Sequence, residues 1–195
     1  MTKVLSHGIP HRIVRDNQSF QLVAMIDGAA ANTQFIQNLQ VLSQQRSLLA
    51  QASQQLASLP KSSSAEERSA LQTQISQLDA RVTLNMQFMT KNYGYSVQSN
   101  YLLSPVNSAL LRKAVDEAGA VSEDEAKATV VAELHTTESY DELQLLRQRL
   151  TTLAQDESKK AEVEKIKEEL KSKFSFDVNA HYILQIRKSA LYATV

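Results

Sequence analysis

Four histidines, a lone Asp-Gly turn, a short acidic run and a set of tyrosines are where this chain could do chemistry. His7 and His11 stand four apart, a spacing that on a helix brings two imidazoles to one metal ion. Gly8 and Pro10 lie between them and no carboxylate or third histidine is near, so a mobile arm explains the pair better. His135 follows a β-rich run, and His181 sits in the last one, where an internal alignment sets it against Asn100. A general base must reach a substrate proton, whereas an exchange with Asn fits a polar, solvent-facing position.

Asp27-Gly28 precedes Ala29-Ala30-Ala31, so the glycine-rich loop that cradles a phosphate is missing. Ser122-Glu123-Asp124-Glu125 lacks the spaced Asp/Asn and Gly of a calcium loop, and Ser122 with Glu125 reads as a helix cap. Tyr93, Tyr95 and Tyr101, with Lys91 and Arg112 nearby, could stack on bases. Their counterparts Phe174, Phe176 and Tyr182 keep the rings while the neighbouring charges change, which fits core packing. No catalytic, cofactor-binding or metal-ligating residue is assigned, and no cofactor is expected.

Composition narrows the classes further. The absence of cysteine excludes disulfides and thiolate metal sites. Lys and Arg number 21 and Asp and Glu 21, without the basic excess that phosphate neutralisation demands, so nucleic acid is not an expected partner. The N-terminus has no apolar signal core and no run reaches the ~18 apolar residues of a membrane span. The expectation is therefore no membrane and a cytoplasmic location, or a secreted one had a leader been removed.

The elements that would position any site emerge from internal similarity. Leu39 to Gln51 (LQVLSQQRSLLAQ) aligns with Leu143 to Gln155 (LQLLRQRLTTLAQ), with seven of thirteen positions identical. Tyr93 to Leu111 aligns with Phe174 to Tyr192, with six of nineteen identical. The offsets, 143 − 39 = 104 and 174 − 93 = 81, place a 23-residue insertion in the first copy between the matches. Each copy reads as a strand, an antiparallel helical hairpin and a further strand.

In the first hairpin Phe35, Leu39, Leu42, Leu49 and Leu56 recur at heptad spacing, with Arg46 and Ser53 filling two seam positions. The return arm carries Leu71, Ile75, Leu78, Val82 and Met89, with Asn85 between. Pro60 ends the first arm, and Ser64 with Glu67 forms a capping box for the second. In the second copy Ser139 with Glu142 suggests another. Period-2 alternation from Tyr95 to Leu103 and from Phe176 to Leu184 predicts strands, and Ser104-Pro105 looks like a helix start.

The predicted class is α+β, an internal duplication with two coiled-coil hairpins projecting from a small shared β-sheet. Its parts are an N-terminal arm (1–17), a first unit (18–113, hairpin about 32–92, strand 94–103), a connector (114–126) and a second unit (127–195, hairpin about 139–173). Apolar positions left over on the first hairpin, Ile36, Val41, Leu48, Met86 and Phe88, need neighbours; Arg46, Ser53 and Asn85 would set register. The terminal strand or the N-terminal arm could also add to a neighbour's sheet. These features point to a non-enzymatic structural protein that assembles with itself into a filament, tube, shell or ring. The alternative is an adaptor whose long hairpin holds one partner protein.

Overall fold

A computed structural model describes residues 8–195; His7 lies outside them. In chain order the elements are β1 (Arg12–Arg15), β2 (Gln18–Asp27), α1 (Ala29–Ser58), α2 (Ala65–Tyr93), β3 (Tyr101–Arg112), β4 (Thr129–Leu134), α3 (Thr137–Leu153), α4 (Lys160–Phe174) and β5 (Tyr182–Thr194). The strands make one curled antiparallel sheet in the order β1-β2-β5-β3-β4, and α1–α2 and α3–α4 are helical hairpins upon it. The fold is α+β, and one chain completes the sheet.

Local chemistry accounts for the boundaries. Asp16 and Asn17 take positive φ (49° and 62°) in the two-residue turn that joins Arg15 to Gln18, as a tight β-hairpin requires. The arm expected at 1–17 is therefore partly built into the sheet, with Ile9 buried against its outer face. Helix α1 stops at Ser58, just before Pro60, and Ser64 and Glu67 form the expected capping box. The cap of α3 is one turn earlier than expected: Thr136 accepts from the Ser139 N–H at 3.2 Å, and Glu142 instead pairs with Lys173 across the hairpin.

Two further expectations fail. Residues 94–100 form a turn, and the strand then continues through Ser104-Pro105 to Arg112 with no helix there. Proline is tolerated because its missing N–H falls on the strand's unpartnered side. Ser122 does not cap a helix with Glu125; Asp124 caps a single 3-10 turn, accepting from the Ala126 N–H at 3.0 Å.

Corresponding places recur at fixed sequence separations. Tyr101 pairs with Ala193 and Arg112 with Tyr182, so exchanging residues 81 apart leaves the β3–β5 ladder unchanged, including its bulges at Val106 and Arg187. Ile26 lies opposite Ser189 as Leu134 lies opposite Ser108, a separation of 134 − 26 = 108, and the bulges at Val23 and Val131 obey it too. The hairpin roots match in detail. Tyr95 stacks on Tyr101 (4.6 Å, 24°) and Phe176 on Tyr182 (4.5 Å, 23°). The Tyr101 hydroxyl accepts from the Ser96 N–H at 2.6 Å, and the Tyr182 hydroxyl from the Asp177 N–H at 2.9 Å.

These separations correct the helical alignment. The strands and helix starts require 108 rather than 104, so the long hairpin exceeds the short one by 108 − 81 = 27 residues, not 23. A four-residue slip is about one helical turn and leaves the apolar stripe in phase, which is why sequence matching accepts it. Thirteen of the extra residues lie in α1 (30 against 17) and give about 20 Å of added reach at ~1.5 Å per residue.

Each hairpin covers its own part of the sheet. Phe35, Leu42, Val82 and Met89 pack on Ile26 and Leu191; Leu143, Leu146, Ile166 and Leu170 pack on Leu110 and Leu134. A third cluster, Ile9, Phe20, Ala190 and Tyr192, lies on the opposite face. Both return helices end on a left-handed residue, Gly94 (φ 66°) and Ser175 (φ 52°). Only glycine adopts that backbone without strain. Ser175→Gly should therefore raise stability by about 0.5–1 kcal/mol, measurable by urea denaturation; an unchanged midpoint would contradict this.

Candidate interaction surface

The long hairpin is held by a narrow seam. Phe35, Leu42 and Ala52 on α1 and Leu78, Val82 and Met89 on α2 are buried, with Leu49, Leu71 and Ile75 half-buried between them. Gln45 and Ala52, rather than Arg46 and Ser53, occupy the inner positions. The seam steps by three and four from Leu42 and Leu49, and Arg46 and Ser53 fall one residue beyond it and are exposed. Asn85 is in the seam as expected, its Nδ2 donating to the Asn38 carbonyl at 3.4 Å. Asn38 Nδ2 and Gln45 Oε1 are buried without a partner, a polar weakness in an otherwise apolar contact.

The remaining expected contact residues divide. Ile36 and Met86 are half-buried and join the hairpin's own core. Val41, Leu48 and Phe88 stay exposed at 43%, 49% and 44%. Leu84, exposed at 66% and likewise just before a seam residue, Asn85, belongs with them. Val41 and Leu48 each precede a seam residue on α1, as Phe88 does on α2, and in an antiparallel pair such positions flank the seam on one side. Leu84, one turn before Phe88, extends this row.

The row sits on unusual ground. Arg46 is the one ionisable side chain in the 30 residues of α1, whose outer positions are largely Gln and Ser. By contrast α3 and α4 are laced with ion pairs, among them Arg149–Glu162 (2.8 Å) and Lys173–Glu169 (2.8 Å). Its bonds to Glu142 and Glu169 hold the Lys173 ammonium well above the ordinary lysine range, and the same contact lowers Glu169.

No protein-family profile matches the chain, and no curated protein or solved structure is significantly similar to it.

The candidates for chemistry are scattered. His135 lines a 470 Å³ cavity with Arg15, Lys188 and Tyr192, Glu125 lines a different one, and His181 is exposed. His11 Nε2 lies 3.2 Å from Gln21 Nε2. Asp27 pairs with Lys188 at 3.2 Å. Burial raises the Tyr192 phenol, whose hydroxyl donates to the Pro10 carbonyl at 3.0 Å. Burial, then the charge of Asp141, raises Tyr140. Among the described residues no three His, Asp or Glu side chains gather as a metal site, and no helix is long and apolar enough to cross a membrane.

The C-terminal strand is not the edge of the sheet that the sequence suggested. β5 is the central strand, paired with β3 along its length and with β2 from Lys188 to Thr194, and the outermost strands among the described residues are β1 and β4.

Proposed function

We propose that this chain is a non-enzymatic structural subunit that assembles with itself, as a filament, tube, shell or ring, through its long hairpin and the outer edges of its sheet. Its two halves descend, on this reading, from one strand–hairpin–strand unit. The match of Tyr93–Leu111 with Phe174–Tyr192 at the separation of 81 that the strands obey, and a strand-pairing pattern that survives exchange of the halves, support common descent.

The observation that carries the assembly reading is the exposed apolar row formed by Val41 and Leu48 on α1, a helix with a single charge, and by Leu84 and Phe88 beside them on α2. Water penalises such a row, and the Gln- and Ser-rich surroundings can be buried against a like surface without desolvating charge. The described part of the chain leaves this row exposed, so its cover comes from another molecule.

Light scattering over a wide concentration range tests this, with electron microscopy of the purified protein. Wild type is expected to form large species, and Val41→Lys/Leu48→Lys to remain a folded monomer. A second variant replaces residues 43–81 with 151–162, the equivalent and shorter tip. It is expected to fold and to lose assembly. A wild type that stays monomeric at high concentration overturns self-assembly and leaves the adaptor reading, in which the same row serves one partner.

A further inference from the structure

We propose that the outer edge of β5 from Tyr182 to Ile186 is a strand-addition site that takes up an extended peptide segment from another chain. β2 accompanies β5 only from Thr194 back to Lys188, which lies opposite Asp27. There the chain turns away at Gly28 (φ 96°), whose N–H donates to the Arg187 carbonyl at 2.7 Å, and enters α1. Beyond that point β5 has β3 on one side and, among the described residues, no strand on the other.

The phase of the ladder says which groups are free. Thr194 N–H donates to Asn100 at 2.9 Å and Lys113 N–H to His181 at 2.8 Å, which fixes the hydrogen-bonded pairs at both ends of the β3–β5 contact. Antiparallel pairs alternate between bonded and non-bonded. Ile183 and Gln185 therefore bond to β3, and Tyr182, Leu184 and Ile186 aim their N–H and C=O groups outward. No hydrogen bond from another part of the described chain reaches these groups. Donors and acceptors repeating every second residue are matched by an extended backbone.

There is room for one. A groove of about 620 Å³ runs between this edge and the first turns of α1, where Ala29, Ala30 and Thr33 present small side chains. Glu125 is its one ionisable lining residue and makes no ion pair among the described residues. The occupant is thus an otherwise uncharged extended segment with a basic side chain within reach of Glu125.

The corresponding edge of β3 shows what a closed site looks like. Its outward residues are Tyr101, Leu103 and Pro105, and Pro105 has no N–H to offer. Ser104 Oγ is engaged with Thr137 Oγ1 at 2.9 Å, and Gly8, Ile9 and Pro10 line the adjoining cavity. Proline on an edge is a standard guard against strand addition. Ile186 stands where Pro105 does and keeps its donor. This site stands apart from the hairpin row, so it holds whether or not the protein polymerises.

Amide hydrogen exchange by NMR on the full chain tests it. In the free protein Leu184 and Ile186 should exchange on the order of 100-fold faster than Ile183 and Gln185. Lysine-bearing octapeptides that alternate Thr with Val, Ile, Ala or Gln serve as probes, and at least one should slow Leu184 and Ile186 tenfold or more. Ile186→Pro should fold, since Pro105 occupies the matching place, and should lose that protection. Methylating alternate peptide nitrogens should abolish it without touching the protein. The proposal is overturned by slow exchange of Leu184 and Ile186 in the free protein, by protection from none of the peptides, or by peptide binding that survives both changes.

Discussion

Phe35→Ala is expected to lower the unfolding free energy by about 3–5 kcal/mol, a large part of the ~5–15 kcal/mol that a domain of this kind possesses. The ring is fully buried at the root of the long hairpin and meets Tyr93 edge-on (4.8 Å, 75°). It belongs to the cluster that includes Ile26, Met89 and Leu191, so its removal opens a cavity where helices and sheet meet. Guanidinium denaturation followed by circular dichroism measures the loss. Phe88→Ala is the control: with its ring exposed, it should change stability of the dilute protein by no more than about 0.5 kcal/mol. Equal losses at the two positions would show that Phe88 is a core residue and remove the hairpin row.

The second large effect is at Asn32, the most buried polar side chain of the hairpin root. Its Nδ2 donates to the Ile26 carbonyl (3.1 Å) and the Gly28 carbonyl (2.9 Å), and its Oδ1 accepts from Ser189. One amide thus ties the end of β2, the turn into α1 and the central strand together. Asn32→Leu leaves these partners buried and unbonded, at about 1–3 kcal/mol each and less than additively; a total near 2–4 kcal/mol is expected. Asn32→Asp makes the effect depend on pH. A carboxylate there faces two carbonyl oxygens in a dry site, so its folded pKa rises above the unfolded value of about 3.9. The variant should approach wild-type stability in acid and fall away as pH rises from that value through the folded pKa. A pH-independent difference would mean that water reaches the site.

How far the sequence revealed this depends on the kind of signal. Heptad spacing disclosed both hairpins, because a buried stripe must repeat every 3.5 residues to stay on one face. It misassigned Arg46 and Ser53, since two candidate rows one residue apart carry Leu39 on one side and Ala52 on the other, and small Ala52 is a weak hydrophobic mark. The strand β3 was cut short at Ser104-Pro105, where proline signals a helix start as readily as an unpartnered edge. Among the interaction residues, exposure of Val41, Leu48 and Phe88 was legible as surplus apolar positions. That Ile36 and Met86 instead feed the core depends on the sheet beneath them, which no local pattern encodes. The strand order, and with it the free edge of β5, was out of reach because pairing between residues 20 and 194 leaves no trace in neighbouring sequence.

The position of β5 governs how the molecule can be made. It follows the other strands in sequence and is the central one, so residues 8–181 supply only two separate strand pairs, β1–β2 and β3–β4. Neither can join the other until β5 arrives. In the meantime the short hairpin has Leu110 and Leu134 to rest on and the long one Ile26, but Leu191 is missing from the core of the long one. Closing a contact between Phe20 and Thr194 spans 194 − 20 = 174 residues, and contacts of such separation are slow to form. The sheet is consequently completed in one late, cooperative event, and a chain truncated before Tyr182 is expected to be a substrate for chaperones and proteases rather than a smaller version of the protein.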